Sequence, residues 1–303
     1  MSVYRIHLKP GADATYSEVL EFCKDKRIIG VGWANVACKV DDYDTLRQEC
    51  KRAYPEDKGV FKSVNCIRGI QPSDLIWTRE GDTVSKYYLC RATAPRWKDR
   101  IITADHLKYD ITNYVGCEWI EVGTEDQVPG RVINSFRARL SAQHMYGVDS
   151  VSAIIWNKLA TDEQGKCPIA PIDFDQFWNL IGPEELECLV MLYLQTRGYY
   201  VYSTTVKKDT KTYEGIMISK DGKHKCFPQV KQNCYLDPKE YAKGISTQDR
   251  VVLFSSTEAY GEEHPQVECL KRHELFTFIK NNYDILPDPI KYWLDFVNSD
   301  VIS

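Results

Sequence analysis

The chain has 303 residues, enough for two domains of ordinary size, each able to bury a core. Hydrophobic residues at 43% and charged residues at 27% exclude a disordered chain, and no run of about 18 apolar residues offers a membrane span. A net charge of −4 excludes a strongly basic nucleic-acid binder, so any such binding must come from local patches.

The predicted elements run as follows. Tyr16 to Lys26 places Val19, Leu20 and Cys23 on one helical face, and a second helix runs from Tyr43 to Tyr54 behind the acidic start Asp41-Asp42. Ile28–Trp33 is an apolar run punctuated by glycine. Asp74–Arg79 alternates, turns at Glu80-Gly81-Asp82 and returns along Lys86–Thr93, and Cys117–Gly123 alternates again. Many short strands with few helices imply a small, strongly curved sheet or barrel over residues 1–145. Residues 146–178 read as a connector, with one helix over Val151–Leu159 and a loop over Thr161–Pro168, and hold the expected domain boundary.

Residues 179–303 alternate helix and strand, which predicts a mixed sheet flanked by helices, so the chain as a whole reads as α+β passing into α/β. Gly182-Pro183, followed by Glu184 and Glu185, opens a helix whose apolar face is Leu186, Leu189, Val190, Leu192, Tyr193 and Leu194, and Gly198 stops it. Tyr199–Ser203 is a strand. Tyr213–Ser219, a turn at Lys220–Lys223, and Cys226–Lys231 form a hairpin. Arg250–Ser255 is a buried-type strand, and Arg272–Asn281 is a helix.

Eleven cysteines stand singly, odd in number and without a C-x-x-C pair, which argues for reduced thiols rather than a zinc ribbon or disulfide framework. The start of the chain has no apolar signal core, and the cytoplasm is the expected location. His106, His144 and His264 lack metal-ligand spacing.

Chemistry concentrates on the hairpin. Side chains alternate along a strand, so Gln229 and Lys231 share a face, and Glu214 at the start of the partner strand reaches them. Glu187 on the preceding helix approaches the same place. Magnesium or manganese needs only one or two carboxylates plus waters, so Glu214, the Gln229 side-chain oxygen and the Val230 carbonyl form a candidate metal site. Lys231 would stabilise a phosphate or orient water, and Glu187 would position Lys231 or a water. Each residue taken singly is ordinary solvated surface. Lys207, Lys208, Lys211, Lys220, Lys223 and Lys225 flank the hairpin, as phosphate contacts or as a soluble rim.

The order helix-Glu, strand, Glu, Gln-x-Lys resembles the Mrr-like branch of the PD-(D/E)xK nucleases over about residues 179–280. Glu214 stands where that group usually carries Asp, and Asp209 is the substitute acid under a shifted alignment. Residues 1–140 resemble PUA-like domains of the EVE and YTH type, on Gly30–Trp33, Gly69–Arg79, Tyr87–Arg91, Val128–Val132 and Asn134–Phe136. That resemblance implies an aromatic pocket for a modified base, with Trp33, Asn35, Trp77 and Arg79 as candidates and Trp97 and Trp119 also available.

Together these imply a two-domain, metal-dependent endonuclease that selects modified DNA in cellular defence, with DNA ahead of RNA, and a homodimer where both strands are cut. A catalytically degenerate nucleic-acid-binding module and an RNA-directed nuclease are the competing readings.

Overall fold

A computed structural model describes residues 1–11, 14–36, 42–81, 86–168, 172, 174–206, 213–294 and 297. Two compact units divide the chain, Met1–Gln176 and Phe177–Ser303. Among the described residues no helix is long and apolar enough to cross a membrane.

The first unit contains β1 (Val3–Ile6), α1 (Tyr16–Lys26), β2 (Ile28–Val31), α2 (Tyr43–Ala53), α3 (Val60–Gly69), β3 (Leu75–Arg79), β4 (Tyr87–Ala92), α4 (Ala104–Lys108), β5 (Asn113–Gly123), α5 (Gly130–Ser135), β6 (Ala142–Met145) and α6 (Asp149–Leu159). Its six strands lie in the order β2-β5-β4-β3-β1-β6, with β1 and β3 parallel and the other neighbours antiparallel. Three strands separate β1 from β2 in that order, yet the two approach each other, so the sheet curls into a half-barrel. The concave face packs Tyr4, Ile6, Ile76, Tyr88 and Cys90 against α1 and α3. The expected turn residue Asp82 and the helix-start residue Asp41 lie outside the described residues; Asp42 caps α2 by accepting the Thr45 N–H at 2.7 Å.

Among the elements not read from the sequence, three bound this sheet. Helix α3 buries Val60, Ser63, Val64 and Ile67 at helical spacing, but it starts at Gly59 with no side-chain cap, so the usual start signal is missing. The short strands β1 and β6 pair with each other and form one side of the sheet.

Most of the segment expected to be a connector, through Gln176, falls in the first unit, and the division lies near its end. Helix α6 buries Val151, Ala153, Ile155 and Trp156, and its Ser152 hydroxyl accepts the Trp77 indole N–H at 2.9 Å. Strand β3 is therefore covered on both faces, and Leu75 to Thr78 are all buried although the segment reads as alternating. The division between units falls inside α7 (Phe174–Leu180), rather than in a loop.

The second unit continues with α8 (Pro183–Thr196), β7 (Tyr199–Val201), β8 (Met217–Ser219), β9 (Lys225–Lys231), α9 (Pro238–Tyr241), β10 (Arg250–Ser255), β11 (Val267–Cys269), α10 (Arg272–Asn281) and α11 (Asp288–Leu294). The sheet order is β11-β10-β9-β8-β7. Strands β9, β10 and β11 are parallel, and β8 is antiparallel to both its neighbours, as a hairpin requires. On one face Trp178 packs against Phe254 with ring centres 5.4 Å apart, and Phe177 against Phe276 at 5.2 Å. On the other, Val251 and Leu253 join Leu236, flanked by Tyr213, Phe227 and Tyr241. Helix α8 buries Leu186, Leu189, Val190 and Leu194; Leu192 and Tyr193, expected on the same face, are only half-buried.

Candidate active site

Strand β8 is shorter than the sequence suggests and pairs with β9 only at Lys225 and Cys226, leaving the rest of that flank of β9 open. Glu214 fills it from the bend before β8. Its N–H donates to the Pro228 carbonyl at 2.9 Å, and its Oε1 accepts a long hydrogen bond from the Val230 N–H at 3.4 Å. A residue's N–H and C=O leave an extended strand on the same side, and positions two apart share that side. The donor that Pro228 lacks is therefore missing on the open flank, where no strand needs it, which is how proline is tolerated beside the central pairing with β10. The same rule turns the Val230 carbonyl towards Glu214.

Glu214 is 6% exposed. Its Oε1 accepts the Lys231 ammonium at 3.0 Å. The Lys231 side chain is 40% exposed, so this ion pair alone adds about 0–1 kcal/mol and says little about function. Gln229 is more informative. It projects from the same face as Lys231, is 0% exposed, and neither its Oε1 nor its Nε2 has a partner among the described residues. An unsatisfied buried amide costs about 1–3 kcal/mol, and at Gln229 both polar atoms of the side chain are left unpaired.

Glu187 completes the group from α8. Its half-buried carboxyl is pushed up to about 7, first by burial, then by the negative charge of Glu214, with Lys231 opposing and a hydrogen bond with Glu214 favouring the protonated form. Two carboxyls thus converge, and burial together with the neighbouring negative charge favours the protonated form of Glu187. The linkage is explicit. Folded Glu187 binds its proton more tightly than the ordinary value of 4.5, so the metal-free protein loses stability as pH rises between about 4.5 and 7. Discounted for solvent screening of a half-exposed group, the loss is about 1 kcal/mol. Urea midpoints measured in a chelator should fall from pH 5 to pH 8, and Glu187→Gln should remove the fall; an identical slope in the variant would refute the assignment.

Two further residues shape the site without a local sequence signal. The Gln232 side-chain amide donates to the Trp178 and Ile181 carbonyls at 3.1 and 3.0 Å, tying the end of β9 to the start of α8 and so setting the height of Glu187. The Tyr213 hydroxyl donates to the Tyr241 carbonyl at 2.6 Å and holds the chain just before Glu214. Asp209, Lys207, Lys208 and Lys211 lie outside the described residues; Lys220, Lys223 and Lys225 are exposed. Among the described residues no three His, Cys, Asp or Glu side chains gather around a cation position. A carboxylate pair with an amide and a carbonyl is a different donor set, and one adequate for a magnesium ion that keeps its waters.

The four candidate base-binding residues are not brought together. Strand alternation sends Trp77 and Arg79 to the face opposite Ile76. There Trp77 is 0% exposed and packs under α6, with no ring face open to a base, and Arg79 lies over the Phe136 ring at 5.2 Å. Trp33 packs against the concave core instead, half-buried, its indole N–H donating to Asp57 Oδ2 at 3.2 Å, with Asn35 exposed nearby in the chain. The glycines around it do not make room for a ligand: a Cβ on Gly30 would strike the Asn113 carbonyl oxygen at 2.3 Å, and one on Gly32 the Asp110 carboxylate at 2.0 Å. Trp33 holds φ +67°, a strained value for a non-glycine residue. Trp97 is core, its N–H on Asn113 Oδ1 at 3.0 Å, while Trp119 is half-buried beside Tyr88. His106 is likewise core, stacked on Tyr114, and burial lowers its pKa.

No family model, curated protein or solved structure matches this chain.

Proposed function

We propose that the second unit is a divalent-metal phosphodiesterase acting on nucleic acid, a nuclease of the Mrr-like PD-(D/E)xK kind. The observation that carries the reading is the Gln229 amide, buried and unpartnered on the same strand face as Lys231, with Glu214 beside Lys231. Glu214, Gln229 and the Val230 carbonyl would hold a magnesium or manganese ion, and Glu187 would join directly or through water. Bound there, the ion supplies Lewis acidity and a water of lowered pKa. The chain's own contribution is placement. Lys231, anchored on Glu214, offers an ammonium to a non-bridging phosphate oxygen as negative charge builds there. Glu187, placed by α8 beside Glu214, orients water or Lys231.

The first unit is proposed as the nucleic-acid reader. A half-barrel with Trp33 and Asn35 retaining accessible surface supports it, in keeping with the PUA-like reading and with a modified base as its target. DNA stays ahead of RNA, and a dimer is expected where both strands are cut. The deciding assay incubates the whole chain with plasmid, base-modified DNA and RNA, with magnesium, manganese or chelator. Metal-dependent cleavage lost in Glu214→Ala supports the reading. Tight nucleic-acid binding with no cleavage under any metal would leave a binding module in its place.

A further inference from the structure

Helix α8 carries a second stripe besides the one it buries. Glu184, Glu187, Cys188, Met191 and Gln195 recur at helical spacing and line a cavity of about 370 Å³. Val201 of β7 and Val206 close its other side. The volume falls at the low end for small-ligand sites, about 300–1,000 Å³. Its walls are aliphatic and thioether, and its polar groups are the two carboxylates at one end and Gln195 further along the helix.

Two contacts make this cavity continuous with the candidate active site. Glu187 belongs to both. Gly215, the neighbour of Glu214, is backed by the cavity wall: a Cβ there would lie 3.2 Å from Val206 Cγ2 and 3.6 Å from Met191 Cε. A ligand seated in the cavity thus has one end at Glu187, the residue beside Glu214.

We infer that this cavity takes the unpaired nucleobase next to the scissile phosphate, an inference that rests on the phosphodiesterase reading above. A base presents the flat apolar faces that such walls accept and edge groups for a rim carboxylate and amide; carboxylates accept from exocyclic amines. Its phosphate then lies at Lys231 and Glu214. A lipid tail would suit the walls but leave the acidic end unanswered. A base stacked and paired in a duplex cannot enter, so the unit favours single-stranded or extruded nucleotides, and the extrusion energy works against duplex.

Cys188 reports occupancy. It is exposed on the cavity wall, although burial of its sulfur and the nearby Glu185 raise its pKa and slow its reaction. The whole chain is treated with iodoacetamide in calcium, and alkylation at Cys188 is followed by peptide mass spectrometry. The arms are no nucleic acid, a single-stranded oligodeoxynucleotide, and a blunt duplex of the same sequence. With single strand at about ten times its Kd, alkylation of Cys188 should slow about tenfold. The duplex should leave it unchanged, and Met191→Trp, which fills the cavity, should abolish protection. Leu192→Trp, also on the cavity wall, is the second variant, with calorimetric Mn²⁺ binding as the check that the site still folds. Equal protection by duplex, no protection by either nucleic acid, or protection that survives both tryptophan variants overturns the proposal. Failure of the phosphodiesterase reading looks different: neither strand is cut in magnesium, whichever one shields Cys188.

Discussion

Lys231→Ala should lower metal-dependent cleavage about 10²- to 10³-fold, the cost of removing one well-placed charge donor to a transition state. The same change should move the urea midpoint little. The Lys231 side chain is 40% exposed and its ion pair with Glu214 is worth about 0–1 kcal/mol. That contrast separates catalysis from folding. Lys231→Met keeps the aliphatic stem and should be as inactive as alanine, while Lys231→Arg should recover little, because a planar guanidinium does not place its charge where an ammonium does. An alanine variant that keeps more than half of the wild-type rate would remove Lys231 from the chemistry.

The second large effect runs in opposite directions for stability and activity. Gln229→Leu should stabilise the metal-free protein by about 1–3 kcal/mol, because a side chain of similar size replaces an amide that buries a donor and an acceptor unpaired. It should also weaken manganese binding and abolish cleavage. Active sites commonly give up stability for function in this way, and the Gln229 position is where this chain would do so. Chemical denaturation in chelator and calorimetry with Mn²⁺ measure the two halves independently. A leucine variant that is less stable than wild type, or that binds the ion unchanged, would mean that the amide serves the fold.

The local features of the candidate site were legible because they depend on short-range rules. Strand alternation puts Gln229 and Lys231 on one face whatever surrounds them, and the Lys220–Lys223 turn closes the hairpin that brings Glu214 back to β9, with Gly222 at φ +73°. Helix α8 announces itself by Pro183 and its two acids, and Arg272–Asn281 by its apolar stripe. The base-reading set is not brought together, for the matching reason. Trp77 is enclosed by a helix 75 positions further along, and nothing near Trp77 in the chain records that. The space at Gly30 and Gly32 is occupied by residues 113 and 110 in the same way.

By itself the sequence determined which residues alternate, which stretches coil, and that two acids, an amide and an ammonium stand in an order suited to holding a cation. Tertiary structure decided the rest. It ended β8 early so that Glu214 could occupy the flank of β9, drew Glu187 close to Glu214, left the Gln229 amide unpaired, and folded residues 146–168 into the first unit. The physical reason is one of range. Backbone periodicity is set by adjacent residues, whereas burial, desolvation and the satisfaction of a polar group depend on atoms brought together across tens of positions, and only packing specifies those.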